Sequence, residues 1–121
     1  MTESNKIPTI YIPICDDNLW VLKPYIYLFK KYWGDEQQVV IMGFKEPDFK
    51  LPDNFTFVSL SSKQEGGASN WTKYLYDYFS SIKDEHIIFS LEDFFPTQKP
   101  NLKLLNELYK IAKTDSSIGR L

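Results

Sequence analysis

Short apolar runs of strand length alternate with apolar stripes of helical spacing along this chain, and this alternation restricts the folds open to it. Three of the runs, at residues 7–14, 38–42 and 55–60, are rich in Ile, Val and Phe. Helical stripes follow the first and the third run. Strands that alternate with helices are joined by right-handed crossovers into a mostly parallel sheet. The sequence therefore predicts the α/β class, with a Rossmann-like three-layer sandwich around a mostly parallel sheet.

Three helices are predicted from apolar residues that recur at steps of three and four. Pro24 is expected in the first turn of the first helix, after a separate turn at residues 18–23, and Gly34 is expected to end that helix. Asn70 and Asn101 are expected to cap the second and third helices. The third helix is expected to bury its whole stripe. The three stripes, in chain order, are Leu19, Leu22, Ile26, Phe29 and Trp33; Trp71, Leu75, Tyr78, Phe79 and Ile82; and Leu104, Leu105, Leu108, Ile111 and Ala112.

The strand-like run at residues 86–91 ends in two adjacent carboxylates, Glu92 and Asp93. The run mostly lacks alternation, which is typical of a strand buried on both faces of a parallel sheet. Ligands of such sheets bind at the carboxyl ends of the strands, and adjacent carboxylates repel each other unless a cation, a basic group or a proton lies between them. Asp16 and Asp17 follow the first strand in the same way. We therefore expect these carboxylates to form a binding site at one edge of the sheet.

Composition and charge narrow the class of protein. The chain has 121 residues, 43% of them hydrophobic, which is enough for one core, so a single domain over residues 1–121 is predicted. The net charge of −2 argues against duplex nucleic acid or an anionic membrane as the main partner. No apolar run has the length of a membrane span, and residues 1–6 lack the apolar core of a signal peptide. Cys15 is the only cysteine, which excludes an internal disulfide and a cysteine-based metal site, and a cytoplasmic location is expected.

The motifs occur in a definite order: a strand, a glycine-rich loop, Ser69, Asn70 and Trp71 at the start of a helix, Asp84, Glu85 and His86 before a buried strand, and then residues 91–95. This order resembles the nucleotide-binding half of glycosyltransferases with the GT-A fold. In that family the acidic end of the strand, usually called the DxD motif, holds a divalent cation against the diphosphate of a sugar nucleotide. The resemblance implies a Mn²⁺ or Mg²⁺ ion held by Asp93 and Glu92. Phe94 stands where the family has its second carboxylate, so Asp93 is the better match to a metal ligand, and Glu92 is expected to hold a metal-bound water or the ribose.

The resemblance also implies a nucleotide-binding site. Asp16 and Asp17 match the end of the first strand, where the family reads the nucleobase and ribose. Asn70 matches the polar residue at the start of the helix that precedes the acidic motif. Gly66 and Gly67 lie just before the same helix N-terminus, a place that suits a phosphate group. These five residues are the predicted nucleotide contacts.

The resemblance spans nearly all of this chain but only about the first half of a family member. It implies that an acceptor-binding half follows Leu121 in a full-length parent, with residues 117–121 beginning a further strand. The parent would transfer a sugar from a nucleotide-diphospho-sugar to a glycan or other acceptor, and this activity is expected of the parent rather than of this chain alone. Apolar surface at Phe94, Phe95 and the third helix would be uncovered, so self-association is expected.

Other interpretations of the same residues stay open. The four carboxylates alternatively cap turns and face solvent, and the two glycines alternatively form a flexible turn. A receiver domain of two-component signalling would need a phosphoacceptor Asp at the end of the third strand, where Val58, Ser59 and Leu60 stand instead. A non-catalytic α/β interaction domain is the other alternative, because a fold does not fix a function, and exposed aromatic side chains would favour it. His86 lies at the start of its strand and is expected to be structural.

Overall fold

A computed structural model describes residues 7–61 and 70–119 of the chain. Within these ranges, one sheet is formed by four strands: β1 (Ile10–Pro13), β2 (Val39–Gly43), β3 (Phe55–Ser59) and β4 (Ile88–Phe89). The strand order is β3-β2-β1-β4, and every neighbouring pair is parallel. The predicted α/β class is therefore confirmed, with an all-parallel sheet that is compatible with a Rossmann-like fold.

The described residues form three α-helices: α1 (Leu22–Trp33), α2 (Trp71–Ser81) and α3 (Leu102–Thr114). A 3₁₀ turn, Asp16–Val21, precedes α1 and places Pro24 in the first turn of the helix. The predicted separate turn is thus confirmed, although it lies two residues earlier than expected. Asn70 and Asn101 occupy the N-cap positions of α2 and α3. The Asn101 side chain accepts a hydrogen bond from a first-turn amide at 3.0 Å, whereas Asn70 makes no side-chain capping bond to its helix.

Gly34 ends α1 in a backbone conformation that L-residues rarely adopt, with φ 85° and ψ −158°. Because a side chain strains the backbone there, Gly34→Ala should lower the free energy of unfolding by about 1–3 kcal/mol, measured by urea denaturation. Gly119→Ala is the matched control, since Gly119 has no positive φ and an added Cβ meets nothing within 4 Å at either position. Equal unfolding midpoints for the two variants would contradict a role for backbone strain.

The main core lies between the sheet and α1. Because strand residues alternate between the two faces, Ile10 and Ile12 share one face and pack in a single cluster with Leu22 and Phe29 of α1. Tyr11 lies on the opposite face, where its ring is 6.1 Å and 5.4 Å from two aromatic rings of α2. Helices therefore cover both faces of the sheet, which gives three layers.

The prediction of a strand buried on both faces at residues 86–91 is wrong in length and in burial. The strand β4 has two residues, Ile88 is only half-buried, and Phe89 is 49% exposed. The reason is its place in the sheet, since β4 pairs with β1 alone and is an edge strand in the described part of the chain. An apolar run shows that a segment is apolar, but it does not show which neighbouring strands or helices cover that segment.

The predicted burial of the third stripe is wrong for the same reason. No residue of α3 is fully buried, and Leu104 and Ile111 are 48% and 47% exposed. One side of α3 does contact the domain, because the Tyr109 ring lies edge-on to His86 with 5.6 Å between the ring centroids. The predicted strand at residues 117–121 is not observed up to Gly119, where the described range ends.

Candidate functional site

The strand order places a topological switch point between β1 and β4. The chain runs outward from β1 to β2 and β3, and then returns across the sheet to form β4 on the other side of β1. In open α/β sheets, ligands bind in the crevice outside the carboxyl ends of the strands at such a point. The segments that leave these two strands are therefore the walls of the candidate site.

A hydrogen bond joins these two walls. The Asn18 side-chain amide in the 3₁₀ turn donates to Oε1 of Glu92 at 3.0 Å, across 74 positions of sequence. The segment that carries Asp16 and Asp17 and the segment that carries Glu92 and Asp93 therefore lie together at the carboxyl edge of the sheet, as expected from the topology. The bond fixes one Glu92 oxygen and leaves Oε2 as a further acceptor.

Glu92 and Asp93 are the two central residues of a turn at residues 91–94, here called the acidic turn. The turn is closed by the Phe94 amide, which donates to the carbonyl of Leu91 at 3.2 Å. Glu92 is half-buried by its contact with the 3₁₀ turn, whereas Asp93 is exposed. Two adjacent carboxylates thus project from one short turn, with an oxygen of each free of any protein hydrogen bond among the described residues.

Asp16 and Asp17, the carboxylates predicted after the first strand, have different surroundings. Oδ1 of Asp16 accepts a hydrogen bond from the backbone amide of Lys45 at 3.1 Å, so Asp16 ties the end of β1 to the segment after β2. Asp17 is exposed. In a 3₁₀ turn, side chains three residues apart lie one above the other, which places Asp17 and Trp20 on one face. Trp20 is 73% exposed, so this face presents a carboxylate and an indole ring to solvent.

The helix α2 begins at the same edge of the sheet. Phe44 directly follows β2, and its ring contacts Trp71 and Tyr74 in the first turn of α2 at centroid distances of 5.1 Å and 5.2 Å. The N-terminus of α2 and its N-cap residue Asn70 are therefore placed at the carboxyl edge. Gly66 and Gly67, the predicted phosphate contacts, lie outside the described residues.

The donor set suits a hard divalent cation that is completed by other ligands. The described residues contain no group of three or more His, Cys, Asp and Glu side chains that could enclose a metal ion. The acidic turn offers oxygen donors from Glu92 and Asp93. Mg²⁺ is typically held by one or two carboxylates together with substrate phosphates and waters, so these two residues fit such an ion.

Two residues at this edge were not predicted from the sequence to take part in the site. Asn18 follows the predicted acidic pair by one position, and its partner lies 74 residues away, so no local pattern indicates the contact. Trp20 carries no sequence signal of its own, because exposure is a property of the fold. The position of the 3₁₀ turn at the carboxyl end of β1 is the signal that could have found both.

Comparison of the chain with protein-family models, with curated proteins and with solved structures found no match. In residues 7–61 and 70–119, none of the helices has both the length and the apolar character needed to cross a membrane. The function is therefore inferred from the geometry of the site and from the chemistry of its residues.

Proposed function

We propose that this domain binds a nucleotide-diphospho-sugar through a divalent cation, as the nucleotide-binding part of a glycosyltransferase of the GT-A type. The observation that supports the proposal most is the hydrogen bond between Asn18 and Glu92. It brings the ends of β1 and β4 together at the switch point of a parallel sheet, where nucleotides commonly bind. Coenzyme and nucleotide sites are frequent at such points, but the adjacent carboxylates favour a ligand that arrives with a cation.

The acidic turn is the proposed cation site. Asp93 supplies an exposed carboxylate, and Glu92 supplies Oε2 or holds a metal-bound water. The amide of Asn18 is neutral, so it orients Glu92 without cancelling the negative charge of the pair. A bound Mn²⁺ or Mg²⁺ would neutralise charge that develops on the departing nucleoside diphosphate.

The proposed nucleoside site is the face of the 3₁₀ turn that carries Asp17 and Trp20. The exposed indole ring offers a stacking surface for a base, and the carboxylate can accept hydrogen bonds from ribose hydroxyl groups. Asp16 is given a supporting role, because its Oδ1 already holds the Lys45 amide. The N-terminus of α2 at Asn70 is the proposed phosphate side, since the start of a helix and the helix dipole favour an anion.

Calorimetry with Mn²⁺ and uridine or guanosine diphosphate tests this function. Each ligand should bind more tightly when the other is present, because the cation and the diphosphate neutralise each other's charge. Trp20→Ala should weaken nucleotide binding roughly 5- to 150-fold, from a stacking contribution of about 1–3 kcal/mol. Tyr27→Ala is the control, because Tyr27 is also exposed, at 68%, but lies on α1. If neither nucleotide bound in the presence of the metal, the proposal would have to be dropped.

A non-catalytic interaction domain is the second candidate, and exposed apolar side chains favour it. Phe94 is 67% exposed, and Phe95, Leu104 and Ile111 are exposed by 38–48%. Apolar surface of this kind promotes association. We therefore expect the chain to self-associate as its concentration rises in sedimentation experiments, and we expect Leu104→Lys with Ile111→Lys to reduce that association. A clean monomer at high concentration would count against this expectation.

A further inference from the structure

A cleft lies on the α1 side of the sheet, between α1, β4 and α3. Its volume is about 220 Å³, which is larger than the apolar cavity of about 150 Å³ that is able to hold a benzene ring. The buried side chains of Ile10 and Phe29 form its floor. Its rim includes Trp33 and Leu105, which are only half-buried, and Phe94, which is 67% exposed. The cleft is therefore open to a ligand from outside.

The lining of the cleft is apolar and uncharged. None of the described residues that line it has a charged side chain, and Ser90 and Tyr25 contribute the only hydroxyl groups among them. Folded domains contain few voids larger than a water molecule, because the atoms around such a space lose packing contacts. A space of this size with this lining therefore suits the apolar part of a ligand.

The cleft is long and narrow. Tyr25 and Trp33 both line it, and because a helix rises about 1.5 Å per residue, the two residues lie about 12 Å apart along α1. A volume of about 220 Å³ spread over this length leaves a slot about as wide as one hydrocarbon chain. A flat ring system needs a broader space. The shape therefore favours a single alkyl chain.

One end of the cleft adjoins the acidic turn. Phe94 belongs to both, and the Tyr25 ring meets the Phe95 ring, directly after the turn, with 6.2 Å between centroids. An alkyl chain in the cleft would therefore place its polar end beside the carboxylates of Glu92 and Asp93. Carboxylates accept hydrogen bonds from hydroxyl groups and repel anions, so the matching head group is neutral and carries hydroxyl groups.

We propose that this cleft binds the alkyl chain of an amphiphile with a neutral, hydroxyl-bearing head group, such as an alkyl glycoside, and that this amphiphile is the acceptor of the sugar. The role as acceptor rests on the function proposed above, whereas the binding of the chain rests on the cleft alone. In the transfer, a hydroxyl oxygen of the head group forms a bond to the anomeric carbon of the sugar and releases its proton to water. The bond from that carbon to the diphosphate oxygen breaks, and its electron pair leaves with the nucleoside diphosphate.

Calorimetry with alkyl glucosides, below the concentrations at which they form micelles, tests the binding of the chain without metal or nucleotide. Octyl glucoside should bind about 15-fold more tightly than hexyl glucoside, because each buried CH₂ group strengthens binding about fourfold. Nonanoate carries the same eight-carbon chain on an anionic head group and should bind about fivefold more weakly than octyl glucoside. Equal affinities of the two glucosides would overturn the binding of the chain in the cleft. Equal affinities of octyl glucoside and nonanoate would overturn the place of the head group at the acidic turn.

Leu105→Trp fills the cleft, and Leu104→Trp is the matched control, because Leu104 precedes it on α3 and does not line the cleft. Octyl glucoside binding should be lost in Leu105→Trp and should keep the parent affinity in Leu104→Trp. The fluorescence of Trp33 gives a second measurement that does not depend on the folding of Leu105→Trp. Octyl glucoside should shift the emission of the parent chain and of Trp71→Phe, but not that of Trp33→Phe. Parent affinity in a folded Leu105→Trp, or a shift that persists in Trp33→Phe, would overturn the site.

The role of the amphiphile as acceptor is tested separately with Mn²⁺ and uridine diphosphate. The parent chain saturated with both should still bind octyl glucoside, because the cleft and the proposed nucleotide site are different surfaces that meet at the acidic turn. Displacement of the nucleotide by octyl glucoside would overturn the role as acceptor. If the parent chain bound no nucleotide in the presence of the metal, the proposed function and the acceptor role would fail together. The titration without metal would then decide by itself whether the cleft binds the alkyl chain.

Discussion

Asp93→Ala should abolish the mutual strengthening of Mn²⁺ and nucleoside diphosphate binding. Coupling between two ligands typically changes each affinity by about 5- to 150-fold, and this factor should fall to 1 in the variant. The physical reason is that Asp93 supplies the exposed carboxylate of the acidic turn. Glu92→Ala should only reduce the coupling, because Glu92 already uses one oxygen to accept the amide of Asn18. Calorimetric titration of the metal with and without the nucleotide measures both effects.

Asp53→Ala is the matched control for this experiment. Asp53 is also an exposed aspartate, but it comes just before β3 and so lies at the amino edge of the sheet. Its removal changes the net charge by the same amount and should leave the coupling intact. If Asp93→Ala behaved like Asp53→Ala, the acidic turn would not be the cation site.

Phe29→Ala should destabilise the fold more than any substitution at the site. Phe29 is 1% exposed and contacts the rings of Tyr25, Trp33 and Phe55. Truncation of a buried Phe typically costs about 3–5 kcal/mol, from lost apolar contact and from the cavity that remains. Domains of this kind are stable by about 5–15 kcal/mol, so urea denaturation should show a large fall in midpoint, or a chain that no longer folds.

The control for that measurement is Tyr27→Ala on the same helix. Tyr27 is 68% exposed, and substitutions at such positions usually change stability by less than about 0.5 kcal/mol. A small effect of Phe29→Ala, similar to that of Tyr27→Ala, would show that the ring contacts of Phe29 do not support the core.

The sequence was most informative where a segment carries a clear local pattern. The strands β1, β2 and β3 and the apolar stripe of α1 were predicted to within a few residues, because each shows a short apolar run or apolar residues at helical spacing. Gly34 and Asn101 were also found, since the ends of helices depend on local backbone chemistry. These features are determined by residues close together in the chain.

The predictions that were wrong and the residues that were missed depend on contacts between segments that are distant in the sequence. The apolar character of β4 and α3 follows from the sequence, but their exposure does not, because exposure depends on which elements lie beside them. The places of the four carboxylates after strands indicate them as site residues, whereas no local pattern indicates Asn18, because its partner lies 74 positions away. A prediction of the strand order would have indicated that Asn18 lies close to Glu92.

The strand β4 is attached to the rest of the sheet at a single edge, so the site is formed only while β4 is paired with β1. Its register with β1 covers two residue pairs, supported by the amides of Ile88 and Ser90. Short edge elements open in local fluctuations far more often than a whole domain unfolds. Each opening would separate Glu92 from Asn18 while β1, β2 and β3 stay paired. A ligand bound at the site would therefore hold β4 against β1, and its binding free energy would include the free energy of docking β4 onto β1.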